Sequence, residues 1–368
     1  MTVRKPWQAA VARTALASAA VVTTVALAAG TAAANPTISG STTGNDLLYL
    51  PSWPTGSVQV IDPAKQEVVK TITGVGDHPL VLKEKPDHSK LYASNFGPLV
   101  WNITVIDPHT NKVIKKVPTI GPPYAVSQMS YDGRYLFIPT ALSVVQVLDT
   151  TTDEIVRTLP IVLPPGPVHL ELSRDDSVMY VFALGGIVSK YDTHTGALLA
   201  PPLFLNGVGP GWGAMSVDGK HVYAVNAVSG VTIIDAEKWV IERTMFEPVG
   251  SMPLSATLTP DGNEMWICNF GTNDITVMDA HTGAIQRVIK TDVTPTYLGF
   301  SADGKTAYVS SLGDFSNLPF GDVGLIKIPQ MYLRADTNGY LDTYDVATRT
   351  RTARMETAAG PLGGVYPG

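Results

Sequence analysis

Seven near-copies of one segment, about 43 residues apart, predict an all-β chain: a seven-bladed β-propeller of four-stranded blades, closed where N- and C-terminal strands share one blade. Three observations carry this. An alternating apolar run closes on Asp seven times. Asp-Gly turns recur ahead of those runs. The two ends of the chain each supply what the other lacks of a blade.

Residues 1–34 read as a secretory signal peptide. Arg4, Lys5 and Arg13 make a basic start, residues 14–30 are small and apolar, and Ala32-Ala33-Ala34 offers a cleavage site before Asn35. The apolar run is too rich in Ala and Thr for a comfortable membrane span. Arg4-Lys5 is not a twin-arginine pair, and no Cys lies near the cut. The expected location is therefore secreted or extracytoplasmic, with no stable membrane insertion after cleavage. Removing three basic and no acidic residues takes the net charge from −6 to about −9. An acidic surface argues against nucleic acid as a partner. Cys268 is the only cysteine, so no internal disulfide can form, and its neighbours Met265-Trp266-Ile267 point to a buried, inert thiol.

Residues 35–368 are expected to be a single propeller. The closing aspartates are Asp62, Asp107, Asp149, Asp192, Asp235, Asp279 and Asp345, at spacings of 45, 42, 43, 43, 44 and 66. The fifth unit shows the plan: a strand over 212–216, a Val-Asp-Gly-Lys turn, a strand over 221–226, a third over 231–235 and a fourth over 240–245. Asp-Gly supplies the positive φ that a tight hairpin needs. Such a unit cannot bury its own apolar faces and must stack on its neighbours. The chain enters on a second-type strand, Leu47-Leu48-Tyr49-Leu50, and finishes on Gly360-Pro361-Leu362-Gly363-Gly364-Val365, which looks like the start of a first strand. Pairing the two removes an open sheet edge.

The pattern resembles the bacterial YVTN-repeat β-propeller family. The motifs behind the resemblance are Gly250-Ser251-Met252-Pro253, Thr259-Pro260-Asp261-Gly262, Tyr92-Ala93-Ser94-Asn95, Tyr223-Ala224-Val225-Asn226 and Val105-Ile106-Asp107. The match to the pattern covers essentially all of residues 35–368. The resemblance implies the seven-bladed fold. For function it implies a wide range: secreted or periplasmic binding proteins, heavy subunits of quinone-dependent amine dehydrogenases, and lactonase-like or lyase-like enzymes. Fold does not choose among these.

No Walker loop, H-E-x-x-H, G-x-S-x-G or C-x-x-C motif occurs. His109, His194 and His281 occupy the same turn of three blades, so the ring holds them apart and no metal site is expected. No cofactor is named by the sequence. Aligned first strands place Val81, Val126, His169, Trp212, Ser255 and Tyr297 at one position, and Lys83, Gln128, Glu171, Ala214, Thr257 and Gly299 two residues on. The intervening parity is mostly apolar: Met129, Leu172, Met215, Leu258 and Phe300. Alternation separates the sets, and the polar one is expected to lean toward a water-filled channel. His169 with Glu171 is the candidate catalytic pair, as general base and partner. His78, Lys83, Gln128, Trp212 and Tyr297 are candidate ligand contacts. Trp53 and Trp101, in equivalent loops, are candidate exposed aromatics at the channel mouth. The repeated Asn95-Phe96-Gly97 and Asn269-Phe270-Gly271 suit packing between blades.

The last spacing exceeds the period by about 23 residues, placing a lid-like insertion over 313–336 on the mouth side. The leading functional expectation is a monomeric secreted propeller that binds a small organic ligand, or a secreted or cell-surface protein, at the channel mouth. The alternative is a lyase, lactone hydrolase or cyclase working in the channel beneath the insertion. A third is the heavy subunit of a quinone-dependent amine dehydrogenase complex. The leader is directly checkable: intact mass of the exported protein should place its N-terminus at Asn35. An exported chain that retains residues 1–34 would rule the cleavage out.

Overall fold

The computed structural model describes residues 46–98, 100–123, 127–161, 166–207, 210–228, 230–313 and 337–367. The leader, Val126 and residues 314–336 of the insertion lie outside the described residues. Twenty-seven strands form seven antiparallel sheets, each in sequence order, and no helix occurs among the described residues. Six sheets have four strands. The first blade has three, Leu48–Ser52, Ser57–Asp62 and Glu67–Ile72.

The C-terminal tail supplies its missing inner strand. Tyr49 and Val365 exchange backbone hydrogen bonds of 2.9 Å each way, and Ser52 bridges Pro361. The tail's other edge meets the second blade, where the Leu82 amide donates to the Gly363 carbonyl at 2.9 Å. Toward the seventh blade, the Thr296 hydroxyl donates to the Pro361 carbonyl at 2.9 Å. The Tyr366 ring stacks on both Tyr297 (5.5 Å) and Tyr308 (5.8 Å). A Cβ on Gly299 would run into that ring, so the cradle requires glycine. The terminal strands thus share one blade, as the sequence predicts.

Each recurring residue has a local task. Asp279 accepts the amides of His281 (3.0 Å) and Thr282 (2.7 Å), and the Thr282 amide and hydroxyl hold its carboxyl below the usual range. Asp62, Asp107, Asp192 and Asp235 likewise each accept two turn amides. The histidines at 109, 194 and 281 contribute backbone amides to these turns. At the other hairpin, Ser216, Thr259 and Ser301 donate their hydroxyls to Asp218, Asp261 and Asp303, followed by glycines at φ near +70°.

The Tyr of the second strand reaches across the seam to the following blade's turn. Tyr49 donates to the Pro108 carbonyl at 3.0 Å, Tyr92 to Asp153 at 2.9 Å, and Tyr223 to the Ala280 carbonyl at 3.2 Å. Burial pushes the Tyr49 and Tyr223 phenols up to about 12, so they keep the proton they donate. The Asn ties its own blade together. Asn95 donates to Asn102 (2.7 Å) and Thr104 (2.9 Å), and Asn269 donates to Asp274 (2.7 Å) and Thr276 (2.8 Å).

One expectation is corrected. The polar parity of the first strands does not project into a water-filled channel. It faces the seam with the next blade: Gln128 donates to Glu171, Thr257 to the Leu298 carbonyl, and Tyr297 stacks on the tail. The apolar parity faces the preceding blade, with Phe300 edge-on to Trp266 and Leu172 beside Phe137 and Val145. Sheets stacked around an axis turn their faces to each other and only an edge inward. Strand alternation therefore sorts side chains between two neighbours.

Closure by Tyr366 is testable. Tyr366→Ala should cost about 3–5 kcal/mol in denaturant unfolding, as large buried aromatics do. Val69→Ala, on the exposed outer strand, should cost less than about 1 kcal/mol. Equal effects would show that the tail does not close the ring.

Candidate functional site

The site is built on the first strands of the second, third and fourth blades: Pro79–Glu84, Gln128–Met129 and Pro167–Leu172. His169 Nε2 lies 2.9 Å from Glu171 Oε1, and Gln128 Nε2 donates to Glu171 Oε2 at 3.2 Å. Both oxygens of one carboxylate are thus engaged from two blades. His169 is fully buried, with its ring 5.1 Å from that of Phe182. Burial holds its imidazole below the usual range; Glu171 opposes this and the charge of Lys83 adds to it. A neutral imidazole donates from Nε2 to Glu171, and the Gly213 backbone also lies against the ring and opposes the lowering.

Lys83 extends the cluster into the second blade. It is half-buried, with protein around its ammonium, and burial pulls its pKa down to about 8 while the charge of Glu171 opposes. The half-buried lysines 85, 90, 115 and 190 each bond a carboxylate or a carbonyl. Lys83 has no hydrogen bond or ion pair among the described residues.

The remaining candidates are dispersed. Trp212 is fully buried, with Nε1 unpartnered, and Tyr297 is buried under Tyr366. His78 immediately precedes the second blade's first strand. Its φ is +58°, and its Nδ1 is 2.6 Å from Asp77. Met252 takes the same position before Pro253 with φ +48°, so the fold sets this conformation. Trp53 is buried, edge-on to His78 (5.7 Å) and Phe96 (6.4 Å), which corrects its expected exposure. The Trp53 amide also bonds the Gly360 carbonyl at 3.2 Å, so the closing joint covers this residue. Trp101 is 40% exposed at the rim. Phe96 and Phe270 are buried. Cys268 is buried, and burial pushes its thiol up to about 12.

Glu247, at the rim between the fifth and sixth blades, was not singled out by the sequence. It is buried, it accepts from Thr276 at 3.0 Å, and it faces Asp274, itself paired with Lys290 at 2.6 Å. Burial pushes its carboxyl up to about 7, and Asp274 adds to this. Its repeat equivalent in the second blade is Val75, whose backbone carbonyl accepts from Thr104 at 2.5 Å. A carboxyl in place of a carbonyl carries no motif, which is why pattern reading passes over it.

No family model matches the chain, and no curated protein matches it in sequence. Among solved structures, the chain is similar to Kuenenia stuttgartiensis hydrazine synthase, with TM-score 0.63 and 18% identity over 74% of this chain and 95% of that one. It is also similar to the dihydro-heme d1 dehydrogenase NirN in complex with DHE, with TM-score 0.62 and 16% identity over 87% of this chain and 75% of that one. At these identities the likeness shows the propeller fold alone.

Glu247 gives a pH signature. Its folded-state pKa, about 7, is above the unfolded value near 4.3. The folded chain therefore binds the extra proton, and the stabilisation is lost as pH rises from about 4.5 through 7. Glu247→Gln should remove up to about 3–4 kcal/mol of this pH dependence. Stability curves of the two proteins that stay parallel across the window would place the carboxyl in water.

Proposed function

We propose that the protein is an exported propeller that binds a small organic molecule bearing an acidic group where the first strands of the second to fourth blades meet, with Lys83 as its charge anchor. One observation carries this reading. Among the described residues a half-buried ammonium has no ion pair, and the carboxylate in whose field it lies, Glu171, is already engaged at both oxygens. Enclosing an unpaired charge is costly, and a ligand carboxylate relieves that cost. His169 and Gln128 fix Glu171 in place, so it repels an acidic ligand from their side and directs it to the ammonium. The sequence reading of residues 1–34 supports export.

A second reading has the His169–Glu171 contact of 2.9 Å in its favour: the pair would act as base and partner in an enzyme. The similar solved structures named above bear enzyme names. The complete burial of His169 weighs against it, since no substrate touches the ring without a rearrangement of the seam.

Calorimetry with a panel of small carboxylates tests the first reading. At least one should bind at pH 7, Lys83→Met should abolish binding, and Lys83→Arg should retain it. Affinity should fall roughly tenfold per pH unit above about 8, where the ammonium is lost. Binding that survives Lys83→Met, or a panel that fails altogether, would overturn the assignment.

A further inference from the structure

We propose that the groove between the sixth and seventh blades, on the face that carries the Asp-Gly turns, binds an extended basic peptide segment of a partner protein. This site is separate from Lys83, and it does not rest on the ligand reading above.

The groove exists because one seam is looser than its equivalents. The residue before each turn aspartate leans onto the glycine of the following blade's turn. A Cβ on Gly133 would come within 2.7 Å of Pro86, on Gly219 within 2.9 Å of Arg174, and on Gly262 within 2.8 Å of Val217. On Gly304 it would approach Pro260 only to 3.5 Å. A groove of about 630 Å³ opens there, a volume within the range of ligand sites. Pro260, Val346 and Ala347 supply its apolar lining.

The polar lining sets the class of ligand. Asp261 bonds donors of its own turn, the Thr259 hydroxyl at 2.6 Å and the Asn263 side-chain amide at 2.7 Å. Asp303 accepts from the Ser301 hydroxyl at 2.7 Å and meets Lys305 at 3.1 Å, through an ammonium whose side chain is 80% exposed. A pair so exposed is worth little. Neither aspartate has a buried cation among the described residues. Glu264, in contrast, is held at both oxygens, by Arg349 and by Trp266 Nε1 at 3.0 Å. One terminal nitrogen of Arg349 serves both Glu264 and Gln286. Its Nε has no hydrogen-bond partner among the described residues. At the same turn position, with the same positive φ, Asp153 is taken by Lys90 and Tyr92, and Trp239 stacks on Tyr180 at 5.8 Å. The groove thus presents two carboxylates without a firm cation and a guanidinium with a donor unspent. A lysine-bearing extended peptide complements both: ammonium groups face Asp261 and Asp303, and a backbone carbonyl faces Arg349. The net charge of −6 favours the approach of such a segment.

Fluorescence anisotropy of an end-blocked peptide of alternating alanine and lysine, added to the exported protein, tests this. The peptide should bind at low ionic strength and weaken as salt is added. Its counterpart with glutamate for lysine should not bind. Asp261→Asn with Asp303→Asn should weaken binding roughly tenfold. Asp132→Asn, at the same turn position in the third blade, should leave it unchanged. Asparagine keeps the acceptor oxygen of these turns, so the variants keep the fold. Carbodiimide coupling gives a readout without substitution: it should join the peptide's lysines to Asp261 or Asp303. Absence of binding, binding untouched by the double substitution, or coupling confined to other carboxylates overturns the site. Displacement of the peptide by an equal concentration of butylamine overturns the peptide as its ligand.

Discussion

The seam between consecutive blades is the constraint on which this structure depends. A twisted four-stranded sheet with two apolar faces has no stable existence alone, and each blade finds cover only against the next. The tyrosine of the second strand makes that cover specific. Its ring fills the seam and its hydroxyl bonds the next blade's turn, as in Tyr49, Tyr92 and Tyr223. Six seams follow from chain order. The seventh is made by the tail, where Pro361, Gly363 and Val365 take the place of a first strand and Tyr366 fills the gap against Tyr297 and Tyr308.

Seam geometry also decides what the candidate site is. Lys83, Gln128 and Glu171 occupy the same strand position in three successive blades. Because this position faces the following blade, Gln128 bridges to Glu171 and His169 is shut in behind it. Of this set only the lysine is partly exposed. A polar arrangement that looks catalytic in sequence thus divides into a buried scaffold and one available charge.

The fold was legible because its signals are local and repeated. Asx turns, Asp-Gly hairpins and a period near 43 each constrain neighbouring residues, and seven repetitions leave little ambiguity. The grouping of His169, Glu171 and Gln128 was legible for the same reason, since equal repeat positions become neighbours in a ring. The direction of those side chains was not. Alternation gives two faces but does not say that both are seams, so His169 reads as solvent-facing when it is fully buried. Trp53 reads as a rim aromatic because the residues that cover it, around Gly360, come from the far end of the chain. Glu247 is invisible for a related reason: its environment comes from Thr276 and Asp274, nearly thirty residues away.

The reach of the first strands runs one way round. Polar side chains go forward, from Gln128 to the fourth blade and from Thr257 to the seventh, while hydrocarbon goes back, as with Phe300 against the sixth. A blade excised whole would therefore expose two unlike wounds, one greasy and one thirsty for hydrogen bonds. The natural module for grafting or recombination is offset from the visible sheet: it begins midway through one blade and ends midway through its successor, so that every interlocking surface travels with its mate.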